Sequence, residues 1–279
     1  MSYLVLGSSG QIGHALCEYY DSKNVTVDKF DIVDSNLQDL RIDNNELLEE
    51  KIKSSDFVFF LAFDVGGSRY LKKYENTYDF VHNNMRIMSN TFGLLKKHNK
   101  PFIFASSQMS NMGHSPYGQL KRIGEIYTKI LGGIVVKFWN VYGIERDLEK
   151  SHVITDFIIK AKNNKIINML TDGTEERQFL YSDDCCEALD ITLKNYKLID
   201  RAREMHITNH NWSTILSVAE EVVKHFPAQI TPSNKKDDVQ KNKKNEADPY
   251  ILNFWEPRTS LSAGIQKICN YYKNGEDNV

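Results

Sequence analysis

The sequence has no excess of either charge: 35 Lys and Arg stand against 37 Asp and Glu in 279 residues, a formal net charge of −2. So balanced a chain projects no global field, and neither nucleic acid nor a membrane surface is indicated as a partner. It lacks a long hydrophobic run as well. Stretches such as 57–63 are far too short to span a bilayer, and the N-terminus enters a strand without a signal-peptide pattern, so a cytoplasmic protein is expected. Metal-like cysteine spacing is missing: Cys17, Cys185, Cys186 and Cys269 form no ligand pattern, and adjacent Cys185 and Cys186 do not easily bridge each other. They read as buried thiols in a reducing compartment, and no metal is expected. There is no internal repeat. The length suffices for a full core, in one large domain or in a domain plus a smaller lobe.

What is present begins at the first residues. The apolar run Tyr3-Leu4-Val5-Leu6 feeds into Gly7-Ser8-Ser9-Gly10-Gln11-Ile12-Gly13 and a helical segment through Tyr20. Glycines remove the Cβ atoms that would block close approach, so backbone N–H groups and a helix N-terminus can face a pyrophosphate. The alternative is an ordinary glycine-rich turn. Two features favour the dinucleotide reading: the pattern directly follows a strand, and an acidic residue ends the next strand, 25–30. That residue, Asp31, stands where a carboxylate accepts hydrogen bonds from an adenosine ribose. Because it would repel a 2′-phosphate, it argues for NAD over NADP. Asp28 is the rival for the role, or else a solvated strand-end charge.

Strands and helices alternate through the first half. Residues 36–40 read as a third strand, 45–53 as a helix, and 56–62 as a strand whose continuous apolarity fits parallel pairing with both faces covered. A helix at 77–97, a strand at 102–105, a helix at 117–130 and a strand at 134–138 complete a doubly wound pattern. The second half holds a helix at 152–163, short strands at 166–170 and 178–181, and a helix capped by Ser182-Asp183-Asp184 that runs to Tyr196. A strand at 205–208, a helix from a Ser213 cap to His225, and a last amphipathic helix from Ser260 to about Tyr272 follow. The polar segment 233–246 holds five lysines. It reads as a solvated loop, the alternative being a lid whose lysines meet a nucleotide phosphate.

The chemistry concentrates between Ser106 and Lys121. Tyr117 and Lys121 are spaced i, i+4, one turn apart on one helix face. A free phenol, with a pKa of about 10, is a poor base at neutral pH; an adjacent ammonium, with an oxidised nicotinamide, would lower that value and make Tyr117 a proton acceptor. Ser107 ends the preceding strand at the carboxyl edge of the sheet, where ligands of this architecture bind, and its hydroxyl can hold the same substrate oxygen.

These motifs make the chain resemble the extended short-chain dehydrogenases/reductases, the NAD-dependent nucleotide-sugar epimerases, dehydratases and reductases. The likeness rests on Gly7-x-x-Gly10-x-x-Gly13, Asp39-Leu40-Arg41, Leu61-Ala62, Asn84, Ser106-Ser107, Tyr117-x-x-x-Lys121, Asn140-Val141-Tyr142-Gly143, the run from Arg177 to Asp184 and the closing Trp255-Glu256-Pro257-Arg258. The resemblance implies an α/β fold, a Rossmann-type doubly wound parallel sheet with a smaller C-terminal substrate-binding α/β lobe. The NAD-binding domain would take 1–149 with about 182–207, and the substrate lobe about 150–181 with 208–279. It implies that Gly7, Gly10, Gln11, Ile12, Gly13, Asp31 and Asn84 serve the cofactor, that Asp39 and Leu40 neighbour the adenine, and that Leu61 and Ala62 line the nicotinamide side. Ser107, Tyr117 and Lys121 would form the catalytic set, with Asn140 and Arg177 on the substrate diphosphate. Relatives of this kind commonly form homodimers through their two long helices, where Ile87, Thr91 and Ile126 would be shared.

Asp64-Val65-Gly66-Gly67, the run from Asn84 to Asn90 and Ser151-His152-Val153-Ile154 are similar to the GDP-sugar branch, which holds GDP-fucose synthase and GDP-mannose 3,5-epimerase. A GDP-linked sugar is therefore the expected substrate, and Gly66 and Gly67 would let backbone approach it. His152 matches the branch's catalytic histidine, either exchanging protons or hydrogen-bonding a hydroxyl. The position after the catalytic serine, a cysteine in GDP-fucose synthase, is Gln108 here, followed by Met109. That departure puts ring inversion in doubt, and the pair does not supply the acids of a dehydratase. What remains is reversible oxidation at the sugar's C4, as a 4-dehydrogenase or 4-epimerase. A 4-keto-sugar reductase and a non-catalytic dinucleotide-binding protein are the alternatives.

Overall fold

The computed structural model describes residues 2–237 and 245–274. Its centre is a six-stranded sheet reached by alternation of strand and helix: β1 (Tyr3–Leu6), α1 (Gln11–Ser22), β2 (Val27–Phe30), α2 (Glu46–Ser54), β3 (Phe57–Phe60), α3 (Ser68–Tyr74), α4 (Tyr78–Lys97), β4 (Phe102–Ser107), α5 (Pro116–Ile130) and β5 (Ile134–Phe138). The chain continues through β6 (Asn140–Tyr142), α6 (Val153–Asn164), β7 (Ile166–Asn168), β8 (Glu176–Tyr181), α7 (Ser182–Lys194) and β9 (Met205–Ile207). It ends with β10 (Trp212–Thr214), α8 (Ile215–Val223), β11 (Gln229–Thr231) and α9 (Leu261–Asn274).

The large sheet has the order β2-β1-β3-β4-β5-β9 and is parallel at each pairing. Because the chain leaves β1 toward one edge and then crosses to the other, a crevice opens beyond the carboxyl ends of β1 and β3, the position at which such sheets bind ligands. β3, sequence Phe-Val-Phe-Phe, is buried at all four positions, as its lack of polar alternation requires. One apolar cluster, with Val5, Phe59 and Val136, lies under α1 and α7; another, with Leu6, Phe60 and Phe104, lies under α4 and α5. At about 1.5–3 kcal/mol for each large apolar side chain withdrawn from water, these two layers dominate the stability of the sheet. A third cluster, around Phe157, Phe179 and Val218, sits among α6, α8 and α9 with the smaller sheets β10-β8-β6 and β11-β7.

Several sequence expectations are corrected. Residues 36–40 are not a strand: Asn36–Gln38 form a 3-10 turn capped by Ser35, whose hydroxyl accepts from the Leu37 N–H. The polar side chains there serve local backbone instead of a ladder, for Gln38 Oε1 accepts from the Asp31 N–H at 2.8 Å. Helix α3 was not foreseen. Ser182 is the first residue of α7, after a Tyr181 N-cap, and Asp184 turns away to accept from the N–H groups of Arg258 and Thr259. Thr214, not Ser213, caps α8, because Ser213 is engaged in β10.

The sheet also holds a buried charge cluster. Lys137 on β5 is fully buried, 2.8 Å from Glu204, just before β9, and 3.3 Å from Glu125 on α5. Glu125 accepts in turn from the Ser106 hydroxyl at 2.6 Å and pairs with Arg122. Among the described residues, no helix is long and apolar enough to cross a membrane.

Candidate active site

The carboxyl edge of the sheet opens into a cleft of about 580 Å³. Its walls include the candidate site residues named above, all but Asn84, Val153, Arg177 and the rival Asp28. At one end is the glycine turn. Gly7 has φ +85°, and a Cβ on Gly13 would lie 2.0 Å from the Gly7 carbonyl oxygen, so α1 seats against the turn only with glycine there. That close seating leaves the N-terminus of α1, with Gln11 and Ile12 in its first turn, facing the cleft.

Asp31 is held at the rim by two backbone donors, Ser9 N–H at 3.1 Å and Val33 N–H at 3.0 Å. Asp28 is instead paired with Lys51 at 2.8 Å. Asp39 grips Arg41 through both carboxylate oxygens; burial opposes its ionisation, yet the Arg41 bonds prevail and hold the carboxyl below the usual range. Asn84 is fully buried and binds the Asp64 backbone on both sides, with Oδ1 accepting from N–H at 2.8 Å and Nδ2 donating to C=O at 3.1 Å. It shapes the loop after β3 without reaching the cleft.

Ser107 closes β4 and its hydroxyl accepts from Met109 N–H at 3.2 Å, which starts the 3-10 turn Gln108–Asn111. Helix α5 begins with Ser115 as cap and Pro116 in the first turn, which presents Tyr117 to the cleft beside Ser107. The expected lowering of the phenol by Lys121 is not found. Burial pushes Tyr117 up to about 12, with the neighbouring Ser107 hydroxyl acting the other way. Burial likewise brings Lys121 down to about 7, against the field of Glu125. The ammonium donates to the Ala105 carbonyl at 2.7 Å and lies 3.7 Å above the Phe63 ring but 5.7 Å from the Tyr117 ring, so desolvation outweighs its pull on the phenol.

At the far end, His152 caps α6 and Glu145 lies beneath it, with His152 Nδ1 2.5 Å from Glu145 Oε1. Gly66 and Gly67 line the cleft, but the tight contact at Gly67 is to chain: a Cβ there would sit 2.4 Å from the Ser151 carbonyl. Gln108 is buried and accepts from Asn245 Nδ2 at its main-chain and side-chain oxygens. Asn140 donates to the Gln178 carbonyl at 3.1 Å, while Arg177 lies off the cleft, donating to the Glu176 carbonyl and paired with Asp237. Lys236 pairs with Asp172, and the rest of the lysine-rich segment, 238–244, lies outside the described residues. The sequence reading missed Glu145, Trp139 and Phe63, each on the wall of the cleft. Only the acid next to the Tyr142-Gly143 signature offered a signal.

The cleft thus joins the glycine turn, the Asp31 carboxylate and the Ser107–Tyr117 pair in one space. These residues fit a dinucleotide: the turn provides close backbone, and Asp31 is already oriented.

Comparison with known proteins agrees. A family model described as the NAD dependent epimerase/dehydratase family matches residues 3–208. A GDP-L-fucose synthase of Sinorhizobium fredii is 32% identical over 149 residues, 50% of this chain and 46% of that protein. The chain thus aligns with about half or less of the length of that relative. Among solved structures, the Thermus thermophilus UDP-glucose 4-epimerase complexed with NAD superposes with TM-score 0.82 at 16% identity over 99% of this chain and 100% of that one. A GDP-6-OMe-4-keto-L-xylo-heptose reductase from Campylobacter jejuni gives 0.83 at 18% over 98% and 97%.

Proposed function

The chain belongs to the NAD dependent epimerase/dehydratase family, and from that membership we propose that it oxidises C4 of a GDP-linked sugar. NAD is the cofactor, and when bound it supplies the acceptor for the C4 hydride. Tyr117 takes the proton of the C4 hydroxyl, and Ser107 orients that hydroxyl. Lys121 favours the ionised phenol and binds the nicotinamide ribose. The glycine turn from Gly7 to Gly13 and the N-terminus of α1 hold the pyrophosphate, Asp31 takes the adenosine ribose, and His152 faces the sugar. The observation that carries this reading is that Ser107, Tyr117 and Lys121 line the same cleft as the glycine turn.

The GDP-sugar assignment is supported by the GDP-L-fucose synthase and by the GDP-heptose reductase fold. Release of the ketone makes the enzyme a 4-dehydrogenase; rotation and return of the hydride makes it a 4-epimerase, the activity named for the Thermus relative. We assign 1–149 with about 182–207 to the NAD-binding domain and about 150–181 with 208–279 to the substrate-binding lobe, in a cytoplasmic homodimer.

The test is cofactor reduction. Wild-type protein given NAD and a panel of GDP and UDP sugars develops the NADH absorbance with a GDP sugar, and Tyr117→Phe does not. Turnover retained by Tyr117→Phe rejects the assignment, and much tighter NADPH than NADH binding favours a 4-keto-sugar reductase.

A further inference from the structure

His152 is the N-cap of α6, where the helix dipole by itself disfavours a positive ring. Against that stands Glu145, in the loop after β6, with its side chain only 6% exposed. Its carboxylate accepts from the His152 backbone N–H at 3.0 and 3.2 Å and lies 2.5 Å from Nδ1. A carboxylate is an acceptor only, so the ring donates from Nδ1, and Nε2 is the nitrogen left for a ligand. Glu145 is itself tied down: Tyr272 on α9 donates to its main-chain carbonyl at 3.2 Å. The His152 side chain remains 42% exposed at the cleft wall.

Resting on the reading above, we infer that Glu145 is the positioning residue that makes His152 a cationic hydrogen-bond donor to an oxygen of the nucleotide sugar. This differs from a histidine acting as a base, because the buried carboxylate stabilises the doubly protonated ring. Desolvation opposes that charge, but the Glu145 bond and field prevail and raise the imidazole above its ordinary range. Other charged groups nearby are accounted for. Asp156, further along α6, is shared by Arg69 of α3 and Lys160. Lys150 lies 5.1 Å from the Tyr70 ring on α3, and Arg146 and Asp147 line the cleft on the intervening loop. The carboxylate that touches the ring is that of Glu145.

The experiment is a histidine-ring NMR titration of the full chain without ligand, with His152 assigned by loss of its signal in His152→Gln. His14, which burial and Arg146 push downward, is an internal reference. The His152 midpoint lies above that of His14, and Glu145→Gln lowers it by about one pH unit or more. A wild-type midpoint at or below that of His14 overturns the inference whether or not Glu145→Gln folds, as does an unmoved midpoint in a folded variant. The donor role is read from GDP-mannose binding to the NAD-loaded protein: affinity falls several-fold as pH rises through the His152 midpoint, and in Glu145→Gln the fall moves to lower pH. Equal affinity on both sides overturns the donor role. Failure of every GDP and UDP sugar to bind at any pH removes the substrate reading and the donor role with it, while the Glu145–His152 pairing still stands or falls on the ring titration.

Discussion

At Lys121 an ammonium, 3% exposed, lies between the Ala105 carbonyl and the face of Phe63. Burial holds its folded-state value near 7, against 10.5 for an ordinary lysine. Between those values the unfolded chain binds the extra proton, so stability rises with pH; the residue's penalty is fully present below about 7 and fades toward 10.5. Lys121→Met removes the buried charge at nearly constant shape. We expect that variant to be more stable than wild type at pH 7 by about 1–3 kcal/mol, with the gap closing by pH 10, and to have lost turnover. Thermal melts at the two pH values check the first part, and NADH formation checks the second. Greater stability together with lost turnover would fit the proposed role of Lys121 beside Tyr117 and the cofactor.

The helix bearing these two residues is seated through a glycine. A Cβ on Gly118 would stand 2.2 Å from the Met109 carbonyl oxygen, so α5 rests directly on the turn that follows Ser107. Gly118→Ala forces backbone apart at the point that sets the distance from Ser107 to Tyr117. It should cost about 2–3 kcal/mol and most of the activity. Gly93, on α4, meets nothing within 4 Å, and Gly93→Ala should gain about 0.5–1 kcal/mol with activity unchanged. Melting temperatures of the two variants, moving in opposite directions, check both. The same helix shows how far sequence reading reaches. The i, i+4 spacing of Tyr117 and Lys121 and the glycine turn were legible because each depends on local geometry. The direction of the Tyr117 shift was not, since it turns on how deeply Phe63 and the sheet bury both groups. Residues 36–40, read as a strand, are a turn for a related reason: the side chains of Gln38 and Asn45 draw that backbone out of a ladder. Glu145 escaped notice because nothing in the spacing ties it to His152 until the loop after β6 folds back.

Across the whole molecule, α4 and α5 pack side by side and present an outer face. Ile87 and Thr91, expected at a shared surface, are instead buried against the sheet, whereas Ile126 is 51% and Ile130 74% exposed. A dimer through these helices would cover Ile126, so Ile126→Arg should convert micromolar dimers into monomers in sedimentation velocity, with the melting temperature of the monomer little changed. A wild-type monomer at that concentration refutes the dimer.

The doubly wound sheet was legible in outline from strand alternation, and the resemblance put 182–207, which holds β9, with the nucleotide-binding half; the pairing of β9 with β5 was not legible, because β9 reaches β5 only after the chain has built three further strands. Lys137 gives that detour a meaning for biosynthesis. A nascent chain that has emerged only as far as β8 carries this ammonium with Glu125 but without Glu204. Its interior stays electrically incomplete until the ribosome has delivered the return strand, so the nucleotide-binding half should not mature as an early, independent product of translation.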